Sequence, residues 1–275
     1  MDNGTNQRLP HLLVTETAST QRYTSPSGGR GKTTLLPERF RIQHAELLIQ
    51  QIETARENES DIIGEQKAFG MVTGNGIYLS FESEPTFALK FESLEYQRSG
   101  IELCAVKKVE EKTVATVFVP EGKLERFLNK IIRYRDEDTV PRSPDKPSRP
   151  KEQDLIESIS AIKLAALREL FTDDLQLFPS GNTAIWWETW LRHSDDFDYE
   201  SFLRDHAEQL GMRVSLESIH FLDRTILLVY GTPEQMARSV HLLGSIAEVR
   251  KAKDTADFYT GMDDAIAKTL IPVNY

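Results

Sequence analysis

Residues 184–252 read AIWWETWLRHSDDFDYESFLRDHAEQLGMRVSLESIHFLDRTILLVYGTPEQMARSVHLLGSIAEVRKA. Ala184–Arg192 alternates in the period of a strand, with Trp186 and Trp190 on one face and Trp187 on the other. Tyr199–Leu210 has a helical period, and Gly211 stops it. Met212–Leu222 and Arg224–Tyr230 read as two further strands. Thr232 is an N-cap and Pro233 suits a first helical position, so a helix runs to about Ile246. Ala247–Ala252 is a last short strand. The order is βαββαβ, the split βαβ or ferredoxin-like pattern. The expected fold class is therefore α+β: an antiparallel sheet with helices, then a ferredoxin-like domain.

Upstream, Leu155, Ile159, Ile162, Ala166 and Leu170 predict one long helix from about Asp154, as N-cap, to Phe171. Residues 136–153, DEDTVPRSPDKPSRPKEQ, hold four prolines among alternating charges and read as a linker. Residues 37–135 read as a first domain. Pro37 opens a helix ending near Asn58, with Phe40, Leu47, Leu48, Ile52 and Ala55 on one face. The period then becomes two: Ile77, Leu79, Phe81; Phe87, Leu89, Phe91; Ile101, Leu103, Ala105; Val114, Thr116, Phe118, with Glu110–Glu111 as a hairpin tip. A helix with Leu124, Phe127, Leu128, Ile131 and Ile132 follows Pro120. Residues 1–36 read as an irregular basic arm, 154–253 as the second domain and 254–275 as a tail.

With 39% hydrophobic and 28% charged residues, the 275-residue chain has an ordinary globular composition, which argues against wholesale disorder. No apolar run approaches the roughly 20 residues of a membrane helix, and the N-terminus lacks the basic start and apolar core of a signal peptide. The lone Cys104 cannot form an internal disulfide and reads as a core thiol. A cytoplasmic location is expected. Residues 1–151 carry 22 basic and 22 acidic side chains, and 152–275 carry 11 and 21. The net charge of −10 thus belongs to the second half, which would repel a phosphate backbone.

Gly28-Gly29-Arg30-Gly31-Lys32-Thr33 invites a phosphate-loop reading, but Pro26 stands where that motif needs its first glycine, and no buried strand precedes it. The six histidines share no zinc-type spacing. Asp195, Asp196 and Asp198 precede a helix, where carboxylates favour the dipole; weak cation binding is the alternative. Trp186, Trp187 and Trp190 fit core packing together with packing against an adjoining domain, and a ligand-stacking platform is the alternative. There is no Gly-x-Ser-x-Gly, Asp-Thr-Gly, Asp-Ser-Gly, His-Gly or Gly-Thr-Ser. No serine-protease site can be assembled from this sequence, and neither catalytic residue, cofactor nor metal is assigned.

Several stretches resemble the N-terminal, non-catalytic region of bacterial subtilisin-like (subtilase) peptidases of a phage-defence-associated type. They are Leu9-Pro10-His11-Leu12, Tyr23-Thr24-Ser25-Pro26, Leu36-Pro37 through His44, GIYLSFES at 76–83, SGIELCAV at 99–106, ATVFVPEGKLERF at 115–127, LIESISAIKLAALRELFTDD at 155–174 and IWWETWLR at 185–192. The resemblance implies a catalytic domain outside this chain, which the second domain would serve as folding chaperone, autoinhibitor or both. Residues 184–252 would be the docking body and about 253–265 a tail laid in the substrate cleft by strand addition. Trp186, Trp187, Trp190, Lys251, Lys253, Phe258 and Tyr259 are then the candidate interaction residues. The expected partner is a subtilisin-like catalytic domain, in cis or in trans, and neither nucleic acid nor membrane. A recognition module for another partner, such as an ATPase of the same defence system, is the alternative.

Overall fold

A computed structural model describes residues 35–71, 74–140, 147–195 and 197–253. Helix α1 spans Arg41–Ala68. It begins four residues after Pro37 and passes Asn58 by ten, because the polar run after Ala55 lies outward while Ile63 and Gln66 continue the buried stripe. Strands β1 (Gly76–Glu82), β2 (Glu102–Val109) and β3 (Lys112–Pro120) follow, with Glu110–Glu111 as the expected hairpin tip. The strand expected over Phe87–Phe91 does not form. Pro85 and a left-handed Thr86 (φ 67°) turn the chain, and two 3-10 turns, Phe91–Ser93 and Gln97–Ser99, carry it to β2. Leu89 and Leu94 are buried there as plugs and not as ladder residues. Helix α2 is Glu125–Asp136.

The single helix expected over 154–171 is replaced by helix α3 (Gln153–Ile156), strand β4 (Ala161–Leu164) and helix α4 (Leu167–Leu170). Its apolar spacing fits either period. The free edge of β1 decides the outcome, since β4 pairs antiparallel with Leu79–Glu82 and tertiary pairing overrides helix propensity. Asp154 accordingly lies inside α3 and is not a cap. The first sheet has the order β2-β3-β1-β4. The proline-rich 136–153 is thus an excursion within the first sheet's half, and not the connection between the two sheets. Its ends clasp each other through Thr139 N–H to Arg149 C=O (2.7 Å) and Lys151 N–H to Glu137 C=O (3.0 Å).

The second sheet follows the sequence closely. Strand β5 is Ile185–Leu191, helix α5 Tyr199–Ala207, strand β6 Arg213–His220, strand β7 Thr225–Gly231, helix α6 Pro233–Leu243 and strand β8 Ile246–Lys251. Gly211 adopts φ 71°, the left-handed conformation that ends a helix at little cost. Thr232 and Gln235 form the reciprocal capping box over Pro233. All ladders are antiparallel, in the order β6-β7-β5-β8.

Two cores organise the molecule. Ile77, Leu79, Phe81, Val117 and Val119 pack against α1 and α2. The opposite face of the first sheet, with Tyr78, Cys104 and Phe118, joins α4 and the helix-covered face of the second sheet in one cluster. The first sheet is therefore buried on both sides, so six of seven β1 residues are buried although their polarity alternates. No helix among the described residues is long and apolar enough to cross a membrane.

Candidate docking face

Alternation sorts β5 into two sets. Trp187, Thr189 and Leu191 face the helices and are buried, whereas Trp186, Glu188 and Trp190 face away and stay half-buried. On β7, Leu227 and Val229 point inward, while Ile226, Leu228 and Tyr230 point outward. The register sets Trp186 opposite Tyr230 and Trp190 opposite both Ile226 and Glu248. The outward face thus carries aromatic and aliphatic side chains on β5, β6 and β7, with Glu248 and Arg250 of β8 beside them.

Its aromatic groups are ordered by their neighbours. Trp186 and Tyr230 lie 5.3 Å apart, with the Arg213 guanidinium 4.5 Å from the Tyr230 ring centre. Trp190 stacks on Phe221 with ring planes 5° apart and centroids 6.1 Å apart, and Arg250 sits 4.8 Å from the Trp190 ring. Trp190 Nε1 donates to Glu188 Oε1 at 2.8 Å, so its indole is satisfied in place. Beyond Trp190 the β6–β7 hairpin leaves Ile219, Phe221 and Leu222 exposed, the last at 94%, and Leu216 of β6 is 90% exposed. Exposed apolar groups mark interaction surfaces where they are contiguous, and aromatic and arginine side chains dominate the energetics of such surfaces.

The expected interaction residues separate on this geometry. Trp186 and Trp190 are on the face. Trp187 is not: it is fully buried, and its Nε1 donates to the Gly231 carbonyl at 2.9 Å. Lys251 and Lys253 lie at the edge of the sheet, tied to Asp173 through the Lys251 N–H (3.0 Å) and the exposed Lys253 Nζ (3.6 Å). Asp173 follows Thr172, which extends the outer edge of β8 by donating its N–H to Val249 C=O. Phe258 and Tyr259 lie outside the described residues, as does Asp196. Asp198 caps α5, accepting from the Ser201 N–H at 3.0 Å and the Ser201 hydroxyl at 2.7 Å, and these bonds hold its carboxyl below the ordinary range. No group of three or more His, Cys, Asp or Glu side chains among the described residues is arranged to hold a metal.

Tyr230, Phe221, Leu216 and Arg213 escaped the sequence reading. The alternation of TILLVYG carried the signal for Tyr230. Which of the two faces the helices would leave open was not written in that alternation.

Behind the face lies a buried ionic joint between the sheets. Glu102 of β2 accepts from Arg192 Nε at 2.7 Å through Oε2, and its Oε1 lies 2.8 Å from Arg224 Nη1. The second contact is an ion pair without hydrogen-bond geometry, so Oε1 has no hydrogen-bond donor of its own. Arg192 also donates to the Gly244 carbonyl at 2.7 Å and lies 3.4 Å from the Phe118 ring centre. Burial opposes its charge, and the Glu102 carboxylate beside it favours that charge, so the guanidinium stays protonated. Nearby, burial pushes the Cys104 thiol up to about 12, which leaves it an inert core group.

Residues 42–166 match the family model described as the Y4kK N-terminal domain, which covers less than half of the chain. The matched stretch ends two residues after β4 and so contains the whole first sheet. No curated protein matches the chain, and no solved structure does.

Proposed function

We propose that this chain is the regulatory, propeptide-like region of a subtilisin-like serine peptidase, acting in the cytoplasm as folding chaperone, autoinhibitor or both. Its catalytic domain would be supplied from outside the residues of this chain, in cis or in trans. The observation that carries the proposal is the outward face of the second sheet. A four-stranded antiparallel sheet backed by two helices, with Trp186, Trp190, Ile226, Leu228 and Tyr230 turned outward, suits docking onto a folded protein. The acidic balance of residues 152–275 favours a basic surface on that partner. Glu188 and Glu248 beside the stack, with Arg250 between sheet and solvent, supply a polar surround.

The test mixes the full chain with the subtilisin-like catalytic domain encoded with it and follows hydrolysis of a chromogenic peptide. Slowed hydrolysis, relieved by Leu222→Asp and Trp190→Ala, is expected. Unchanged hydrolysis together with no association by size exclusion would overturn the proposal.

One observation favours a second reading, the recognition of another protein such as an ATPase. At the start of α1, Phe40 (83% exposed), Ile42 and Leu47 each leave an apolar side chain exposed in the first half. Pull-down of the ATPase by the wild-type chain, lost in Phe40→Asp and kept in Leu222→Asp, would support that reading.

A further inference from the structure

We propose that Glu102, in the first sheet, is a positioning residue that sets the pose of the β6–β7 hairpin and thereby the Trp190–Phe221 stack of the docking face. The coupling is read from geometry alone; its consequence for docking rests on the function proposed above.

Other ties hold the stem and not the tip of the hairpin: Arg204 of α5 donates to the Ser215 and Leu216 carbonyls, His220 lies 3.8 Å from Glu200, and Ile219 and His220 pair with Ile226 and Thr225. Phe221 and Leu222 are exposed. Strand β6 is an edge strand, with a bulge between Val214 and Ser218 that interrupts its ladder to β7. Within the turn, the Phe221 N–H donates to the Arg224 carbonyl at 2.7 Å, so the backbone of Arg224 closes the loop that carries Phe221. The Arg224 side chain, only 19% exposed, leaves the loop and meets Glu102. Its remaining bond, to the carbonyl of neighbouring Asp223, stays inside the loop and anchors nothing.

The two arginines are not equivalent. Without Glu102, Arg192 would keep the Gly244 carbonyl and the Phe118 ring. Arg224 would lose its only ion pair outside the hairpin among the described residues and would face a second guanidinium with no anion between them. The tip of the hairpin is therefore the part that yields, and Phe221 moves with it.

The chain contains three tryptophans, so 5-fluorotryptophan labelling gives three 19F resonances, assignable by single Trp→Phe variants. Glu102→Gln and Arg224→Met are compared with wild type in the full chain. Arg224→Met leaves the Glu102–Arg192 pair in place, so it separates hairpin positioning from a general loosening of the joint. In both variants the Trp190 resonance is expected to shift or broaden while that of Trp187, buried in the core, stays fixed. Affinity for the catalytic domain is expected to fall on the order of 10-fold in both, the scale of a displaced interface anchor. A Trp190 resonance unmoved in Arg224→Met overturns the coupling. A shifted resonance with unchanged affinity overturns its role in docking. If the wild-type chain does not bind the catalytic domain at all, the proposed function fails, and the 19F result still decides the positioning role.

Discussion

The side-chain amide of Gln66 donates to the carbonyl of His241 at 2.9 Å while it also brackets Gly76, donating to its carbonyl at 2.8 Å and accepting from its N–H at 3.1 Å. Gln66 lies in α1 and His241 in α6, so one buried side chain joins the two halves of the molecule. The place is set by alternation. The bonds Glu121 N–H to Asn75 C=O and Ala165 N–H to Tyr78 C=O show that even-numbered β1 residues point toward β4. Strand β4 has ended before it reaches Gly76, and the Gln66 amide stands in for the missing strand.

Gln66→Ala should therefore strip partners from the two buried backbone groups of Gly76 and from the part-buried His241 carbonyl. At about 1–3 kcal/mol for an orphaned group, with partial relaxation, a loss of roughly 2–4 kcal/mol is expected. The urea midpoint should fall with an unchanged slope. A loss below about 0.5 kcal/mol would mean that water replaces the amide fully.

Cutting the chain between residues 140 and 147 should not yield two independent domains. The piece ending at 140 would lack β4 and α4, leaving Tyr78, Cys104 and Phe118 uncovered. The Thr116 hydroxyl would lose the Glu169 carbonyl, and Lys107 would lose the carbonyls of Arg168 and Phe171. The two pieces are expected to co-elute when co-expressed and to bind a hydrophobic dye when expressed singly. Two monodisperse, separately folded pieces would refute the shared core.

Adjacent tryptophans should behave oppositely. Trp187→Ala empties a fully buried site and loses the bond to Gly231, for a cost of about 3–5 kcal/mol. Trp186→Ala removes a half-buried ring from the open face and should cost about 1 kcal/mol or less, little beyond its contact with Tyr230. Thermal melts of both variants check the contrast, and equal losses would contradict the assignment of faces.

The second sheet was legible because every local signal agreed with the tertiary result. Gly211 and Thr232-Pro233 punctuate the helices where the structure ends and begins them, and strict alternation gives β5 and β7 their two faces. The first half was harder where tertiary pairing decided. Leu155, Ile159 and Ile162 fit a helix, yet 161–164 became a strand because β1 offered an edge. Phe87, Leu89 and Phe91 alternate, yet Pro85 and Thr86 turn them out of the ladder. Of the docking face, Trp186 and Trp190 were readable. The Glu102 joint was not, because no sequence pattern records that residue 102 meets residues 192 and 224.

His44 gives the protein an acid-sensitive joint. Its ring is buried, Nε2 lies 3.0 Å from the Ile156 carbonyl, and Tyr134 stands edge-on at 6.4 Å. Burial lowers its pKa below the ordinary 6.5, and Arg39 adds to this, while the Ile156 carbonyl, Glu157 and Glu84 oppose it without cancelling it. The folded state therefore holds a neutral imidazole that donates from Nε2. Between the folded pKa and 6.5 the unfolded chain binds the extra proton, so this contribution to stability is full above 6.5 and declines as the pH falls below it. His44→Gln keeps a donor toward Ile156 and removes the titration. The difference in urea midpoint between wild type and His44→Gln should thus shift against the wild type on going from pH 7.5 to pH 5, about 1.5 units below the ordinary histidine value. A difference that stays constant over that interval would mean that the ring takes up its proton in the folded protein as readily as in the unfolded chain.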